Sequence, residues 1–197
     1  MRSKLFFVGA ILFACIFFSF NVKDNKQKVK DYFTVPGPVD FNKTMYSLSW
    51  SSHPNNDYYK QEYLPANERS ETFNKMIMIE ALVSSMTPKE AAMAKIKELD
   101  QRKKIDPVTN YQFIENPATG EYVVDFVISS NDIVEWNAYR YINLKNKSSE
   151  NGLMLFAYSK RSYGAASTNF LKSLKTERVK DINAVATYKI PGIKLKP

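Results

Sequence analysis

At 197 residues the chain holds one domain once an apolar leader is set aside, and 44% hydrophobic against 24% charged residues suits a globular protein with a buried core. The single cysteine, Cys15, lies in that leader, which excludes a disulfide framework, a thiolate nucleophile and a cysteine metal site from the folded part. The net charge of +8 is uneven: Arg2 and Lys4 precede the leader, and residues 160–197 carry nine basic side chains against Glu177 and Asp181.

Met1–Lys4 is short and positive, Leu5–Phe20 is almost wholly apolar, and Asn21, Lys23 and Asp24 follow. This is the pattern of an export signal across a bacterial-type inner membrane. Three readings fit residues 1–22: a cleaved signal peptide, a retained membrane anchor, and lipid attachment at Cys15 within Leu12-Phe13-Ala14-Cys15. Residues 23–38, charged and then Pro-containing at Val35-Pro36-Gly37-Pro38, read as a tether. Residues 39–190 then form a single domain.

Within that domain, Thr44–Ser51 alternates with Tyr46, Leu48 and Trp50 on one side. Ser52–Asn56 reads as a turn and Asp57–Leu64 as the returning strand, followed by a third strand over Lys75–Val83 with Ile77, Ile79, Ala81 and Val83 on one face. Thr87-Pro88-Lys89-Glu90 is a helix start with a capping box, and the helix runs to about Lys103 with Ala92, Met93, Ile96 and Leu99 as its stripe. Four strands at about 110–115, 121–129, 132–144 and 152–160 are joined by turns too short for parallel crossovers. A closing helix begins near Ser167, with Phe170, Leu171, Leu174, Ile182 and Val185 inward and Lys172, Lys175 and Lys180 outward. Residues 191–197 read as a basic tail. The expectation is an α+β fold: an antiparallel sheet of six to seven strands covered by two main helices, preceded by a hydrophobic leader helix.

The strand pair Tyr46–Trp50 and Tyr58-Tyr59-Lys60-Gln61-Glu62-Tyr63-Leu64-Pro65, the run Glu71-Thr72-Phe73-Asn74-Lys75-Met76, and the order of elements over residues 40–185 resemble the PsbP-like fold. That resemblance implies exported proteins that mostly bind other macromolecules, and it supplies no catalytic residue. A cystatin-like or lipocalin-like exported domain has the same strand count.

Candidate chemistry is sparse. His53, the only histidine, sits in the Ser52–Asn56 turn with no cysteine nearby, so neither a zinc site nor a Ser-His-Asp triad is built on it. No glycine-rich phosphate loop exists. With a turn centred on Ser130-Asn131, Asp125 would face Trp136 and Glu121 would face Arg140. Arg140 is then either an ion-pair partner of Glu121 or an anion receptor beside Trp136. Arg178 falls on the apolar stripe of the last helix, with Asp181 three residues on as its expected partner. Tyr58, Tyr59, Tyr63, Tyr139 and Tyr141 form either a recognition surface or core packing. These features predict a non-catalytic binding or assembly module in the periplasm or at the membrane surface, with no cofactor and no metal. Its partner would be a protein or small ligand, with the membrane engaged through the leader if uncleaved and nucleic acid excluded by export. An envelope structural protein touching anionic surface is the alternative, and an enzyme with an unrecognised site a remoter one. Asn42-Lys43-Thr44 and Asn146-Lys147-Ser148 are glycosylation sequons, relevant only in a eukaryotic secretory pathway.

Overall fold

The computed structural model describes residues 29–144 and 152–196. The leader, Cys15 and the Asn146-Lys147-Ser148 sequon lie outside the described residues. Among the described residues no helix is long and apolar enough to cross a membrane.

In chain order the elements are β1 (Val39–Phe41), β2 (Thr44–Asn55), β3 (Tyr58–Pro65), β4 (Lys75–Val83), α1 (Pro88–Arg102), β5 (Asn110–Asn116), β6 (Glu121–Ser130), β7 (Ile133–Asn143), β8 (Gly152–Tyr163) and α2 (Ser167–Thr187). Among the described residues eight strands make one sheet in the order β1-β2-β3-β4-β8-β7-β6-β5, and every pairing is antiparallel. The chain leaves β4, passes through α1 to the far edge at β5, and returns as a meander that sets β8 beside β4. The α+β class with an antiparallel sheet and two helices therefore holds, while the strand count exceeds the expected six to seven. The extra strand is β1, whose three residues are too few to show alternation. Its sequence signal is Asn42-Lys43, whose φ of +48° and +63° make the two-residue turn that a right-twisted hairpin favours.

Strand alternation divides the sheet into two buried faces. On one, Tyr46, Tyr63, Ile77, Ile79, Trp136, Phe156 and Tyr158 pack with Leu174, Ile182 and Val185 of α2. On the other, Met78, Val124, Phe126, Leu153, Leu155 and Ala157 pack with Ala91, Ala92, Ile96 and Leu99 of α1. The helices thus lie on opposite faces. The capping box of α1 forms as expected, with Thr87 accepting from the Glu90 backbone and Glu90 accepting from Thr87. Met93, expected in its stripe, is exposed, and Ala91 takes its place. At Gly152 a Cβ would stand 2.5 Å from the Leu82 carbonyl, so the β4–β8 pair closes there only around glycine.

Two segments read from sequence as loose are built into the core. Within the expected tether, Phe33 is fully buried and Val35 nearly so. Gln61, itself fully buried on β3, accepts from the backbone N–H of Tyr32 and of Phe33, and Tyr63 Oη donates to the Val35 carbonyl. The expected basic tail packs alongside: Lys194 N donates to Phe33 O and Lys196 N to Tyr32 O, both at 2.9 Å, and Ile193 joins the core. Phe33, packed on Tyr59, covers the α2-side face of β3, whereas α2 itself lies over β6, β7 and β8.

The β6–β7 hairpin differs from expectation by two residues. Its turn is Asn131-Asp132, with Asn131 at φ +54°, so Ser130 pairs with Ile133 and Asp125 with Ala138. An even shift keeps every side chain on its face. Glu121–Arg140 and Asp125–Trp136 consequently become diagonal contacts rather than opposed ones.

The loop after α1 hangs on Asp106. Its carboxylate accepts from the backbone N–H of Val108 and Ser129, from the hydroxyls of Thr109 and Ser129, and from Arg102 Nε. Burial pushes this carboxyl up, but those hydrogen bonds, led by Ser129's, outweigh it and hold it far below the usual carboxylate range. A carboxylate held low stabilises the fold above its unfolded-state value and loses that contribution as pH falls towards the folded one. Urea midpoints of the wild type are expected to fall more steeply below about pH 4 than those of Asp106→Asn. Asp106→Ala is expected to cost about 2–4 kcal/mol at pH 7.

Candidate ligand-binding site

The meander strands β5, β6 and β7 meet α2 around a cavity of about 160 Å³ on the α2-side face. Leu171 and Leu174 of α2 and the buried Trp136 of β7 give it apolar walls, and Asp125, Lys175 and Arg178 supply its charge. Asp125 is the unusual member, since it stands on the same face of β6 as Val123 and Val127 and is only 2% exposed. Its Oδ1 accepts from Trp136 Nε1 at 2.5 Å and its Oδ2 from Arg178 Nη2 at 2.5 Å. Arg178 also donates to Gln112 Oε1 at 2.8 Å, so α2 is pinned to both β5 and β6. Burial raises the Asp125 carboxyl, and the Trp136 and Arg178 donors oppose that rise.

Two polar features of the cavity are unmatched. Arg178 donates to Asp125 and Gln112 through Nη2 alone, and its Nη1 makes no hydrogen bond among the described residues. Lys175, exposed on α2 one turn before Arg178, makes no ion pair among the described residues. The cavity therefore presents two cations against one carboxylate.

Arg140, weighed as an anion receptor, is fully engaged elsewhere. Its Nε and Nη2 donate to Glu121 Oε2 at 3.1 and 2.8 Å, which is the ion pair expected of it. Its Nη1 donates to the carbonyls of Val185 and Tyr188 at 3.0 and 2.9 Å. These lie at the C-terminal end of α2, where carbonyls lack intrahelical partners and the helix dipole favours a cation. Arg140 is thus a brace from β7 to the end of α2. Trp136 and Arg140, though on one face, do not share a cavity; Trp136 shares one with Arg178.

Arg178 does not pair with Asp181, contrary to expectation. Asp181 is buried and accepts from Lys160 Nζ at 3.1 Å and from Asn42 Nδ2 at 3.0 Å, which ties β8 and the β1–β2 turn to α2. His53 is not in a turn: it lies in β2, half-buried, with its ring stacked on Tyr59 at 4.0 Å and tilted against Tyr32 at 5.2 Å. The five tyrosines form no single surface. Tyr59 and Tyr63 are buried on the α2 side, whereas Tyr58, Tyr139 and Tyr141 lie on the α1 side, where burial raises all three hydroxyls. Among the described residues no group of three or more His, Cys, Asp or Glu side chains could hold a metal ion.

A family model matches residues 33–190, a span that takes in both helices and every strand of the sheet. The chain belongs to that family. The family is uncharacterised and supplies no activity. Neither a curated protein nor a solved structure matches the sequence.

Removing the brace at Arg140 leaves Glu121 and two helix-end carbonyls without their donor. Arg140→Ala is expected to destabilise the protein by about 2–4 kcal/mol in urea denaturation, and Arg140→Lys to recover less than half of that loss. One ammonium does not reproduce a fork that spans a carboxylate and two carbonyls.

Proposed function

We propose that this chain is an exported, non-catalytic binding module that holds a small ligand between α2 and strands β5–β7. The observation that carries the reading is a concave, apolar-walled cavity with a few convergent polar groups, the usual build of a ligand site. The character of those groups supports binding over turnover. Both oxygens of Asp125 are already taken by Trp136 and Arg178, so the carboxylate is placed to orient an arginine and not to move a substrate proton. The lining residues include no second carboxylate, no imidazole and no thiol. Export rests on the positive, apolar and polar succession of residues 1–24.

Two measurements test the proposal. Fractionation with mass spectrometry of the N-terminus is expected to find the protein outside the cytoplasm; an intact chain recovered from cytosol would contradict export. Native mass spectrometry of protein taken from its own envelope fraction is expected to show a retained small molecule. That adduct should be missing from Leu171→Trp, which fills the cavity. An adduct equally present in both would place the ligand elsewhere.

A further inference from the structure

Resting on that reading of the cavity, we infer that its ligand is a small monoanion, a carboxylate carrying an apolar body of about one ring. Size comes first. A cavity near 150 Å³ admits a benzene-sized guest, and this one is about 160 Å³, so the part of the ligand held inside it is about one ring. The walls come second: Val127, Trp136, Leu171 and Leu174 give the body apolar surface, and the indole N–H is already given to Asp125.

Charge fixes the class. With Asp125 neutralised by Arg178, the ammonium of Lys175 is left over at the cavity. An anion is attracted by one net positive charge, and a cation is repelled by it. Asp125 and Gln112 take only Nη2 of Arg178, so Nη1 is the guanidinium donor left for an acceptor oxygen, and a carboxylate supplies one in a charge-assisted hydrogen bond. Asp125 then orients the receptor. Held at Nη2 by Asp125 and Gln112, the guanidinium keeps a fixed direction without a searching side chain, which lowers the cost of binding.

The test uses the full chain in lipid nanodiscs with 15N-labelled tryptophan. The Nε1–H of Trp136 reports on the cavity, and that of Trp50, exposed on β2, serves as control for non-specific partitioning. The probes are benzoate, neutral benzyl alcohol and cationic benzylamine. Benzoate is expected to shift the Trp136 signal saturably and to bind about tenfold more tightly than benzyl alcohol, with benzylamine weaker than both. Raising the ionic strength should weaken benzoate and leave benzyl alcohol unchanged. Lys175→Gln, an exposed substitution that leaves the fold intact, should cost benzoate several-fold in affinity and benzyl alcohol nothing. Arg178→Gln should bring benzoate down to the level of benzyl alcohol.

Equal binding of benzoate and benzyl alcohol would overturn the anion class while leaving the cavity a binding site. No Trp136 shift with any of the three probes would overturn the class and the binding site together. Loss of benzoate in Arg178→Gln with no loss in Lys175→Gln would also contradict the inference, because the surplus charge would then play no part.

Discussion

A carboxylate buried on a sheet face is tolerated only where donors surround it, and that constraint on Asp125 organises the α2 side of this protein. The two donors come from different elements, Trp136 from β7 and Arg178 from α2. Satisfying the carboxylate therefore fixes the height and the rotation of α2 over the sheet. Arg140 at the far end of the helix does the same through Val185 and Tyr188, and Lys160 with Asp181 does it in between. Apolar contact alone is non-directional and would let the helix slide. These three polar ties set its register, and the cavity is the space left beside the first of them.

Two irregular strips, residues 31–36 and 191–196, complete the same face. Phe33 packs on Tyr59 of β3, Val35 and Ile193 join the same core, and Gln61 and Tyr63 hold the backbone of the first strip. The domain consequently begins earlier and ends later than its regular elements do. A positively charged C-terminal strip that packs down on the sheet keeps its apolar side chains inward and its lysines in water, which is why Lys194 stays exposed while Ile193 is buried.

Local signals were legible in the sequence wherever one element sufficed to produce them. The capping box at Thr87, the alternation of Lys75–Val83 and the inward stripe of Leu174, Ile182 and Val185 need no partner to be recognised. What depends on two elements was not legible. Arg178 stood out as a charge on an apolar stripe, and Asp125 was expected to face Trp136, yet nothing in the spacing says that α2 crosses β6. Asp181, nearer in sequence, was the expected partner, and it is drawn instead to Lys160 and Asn42 across the fold. The strips at residues 31–36 and 191–196 carry Pro and charge, the marks of a linker, and their burial is decided by the bare sheet face they meet. The hairpin turn at Asn131-Asp132 was misplaced by one residue, which moves the pairing by two and leaves the faces unchanged.

The claim on which the rest depends is that Asp125 and Arg178 act as one coupled unit between the sheet and α2. A double-mutant cycle of Asp125→Asn and Arg178→Gln, measured by urea denaturation at neutral pH, tests it directly. A coupling of about 1 kcal/mol or more is expected, with the double variant less destabilised than the two single losses combined. Additive losses would mean that the two side chains do not depend on one another, and that α2 is held over the sheet by packing alone.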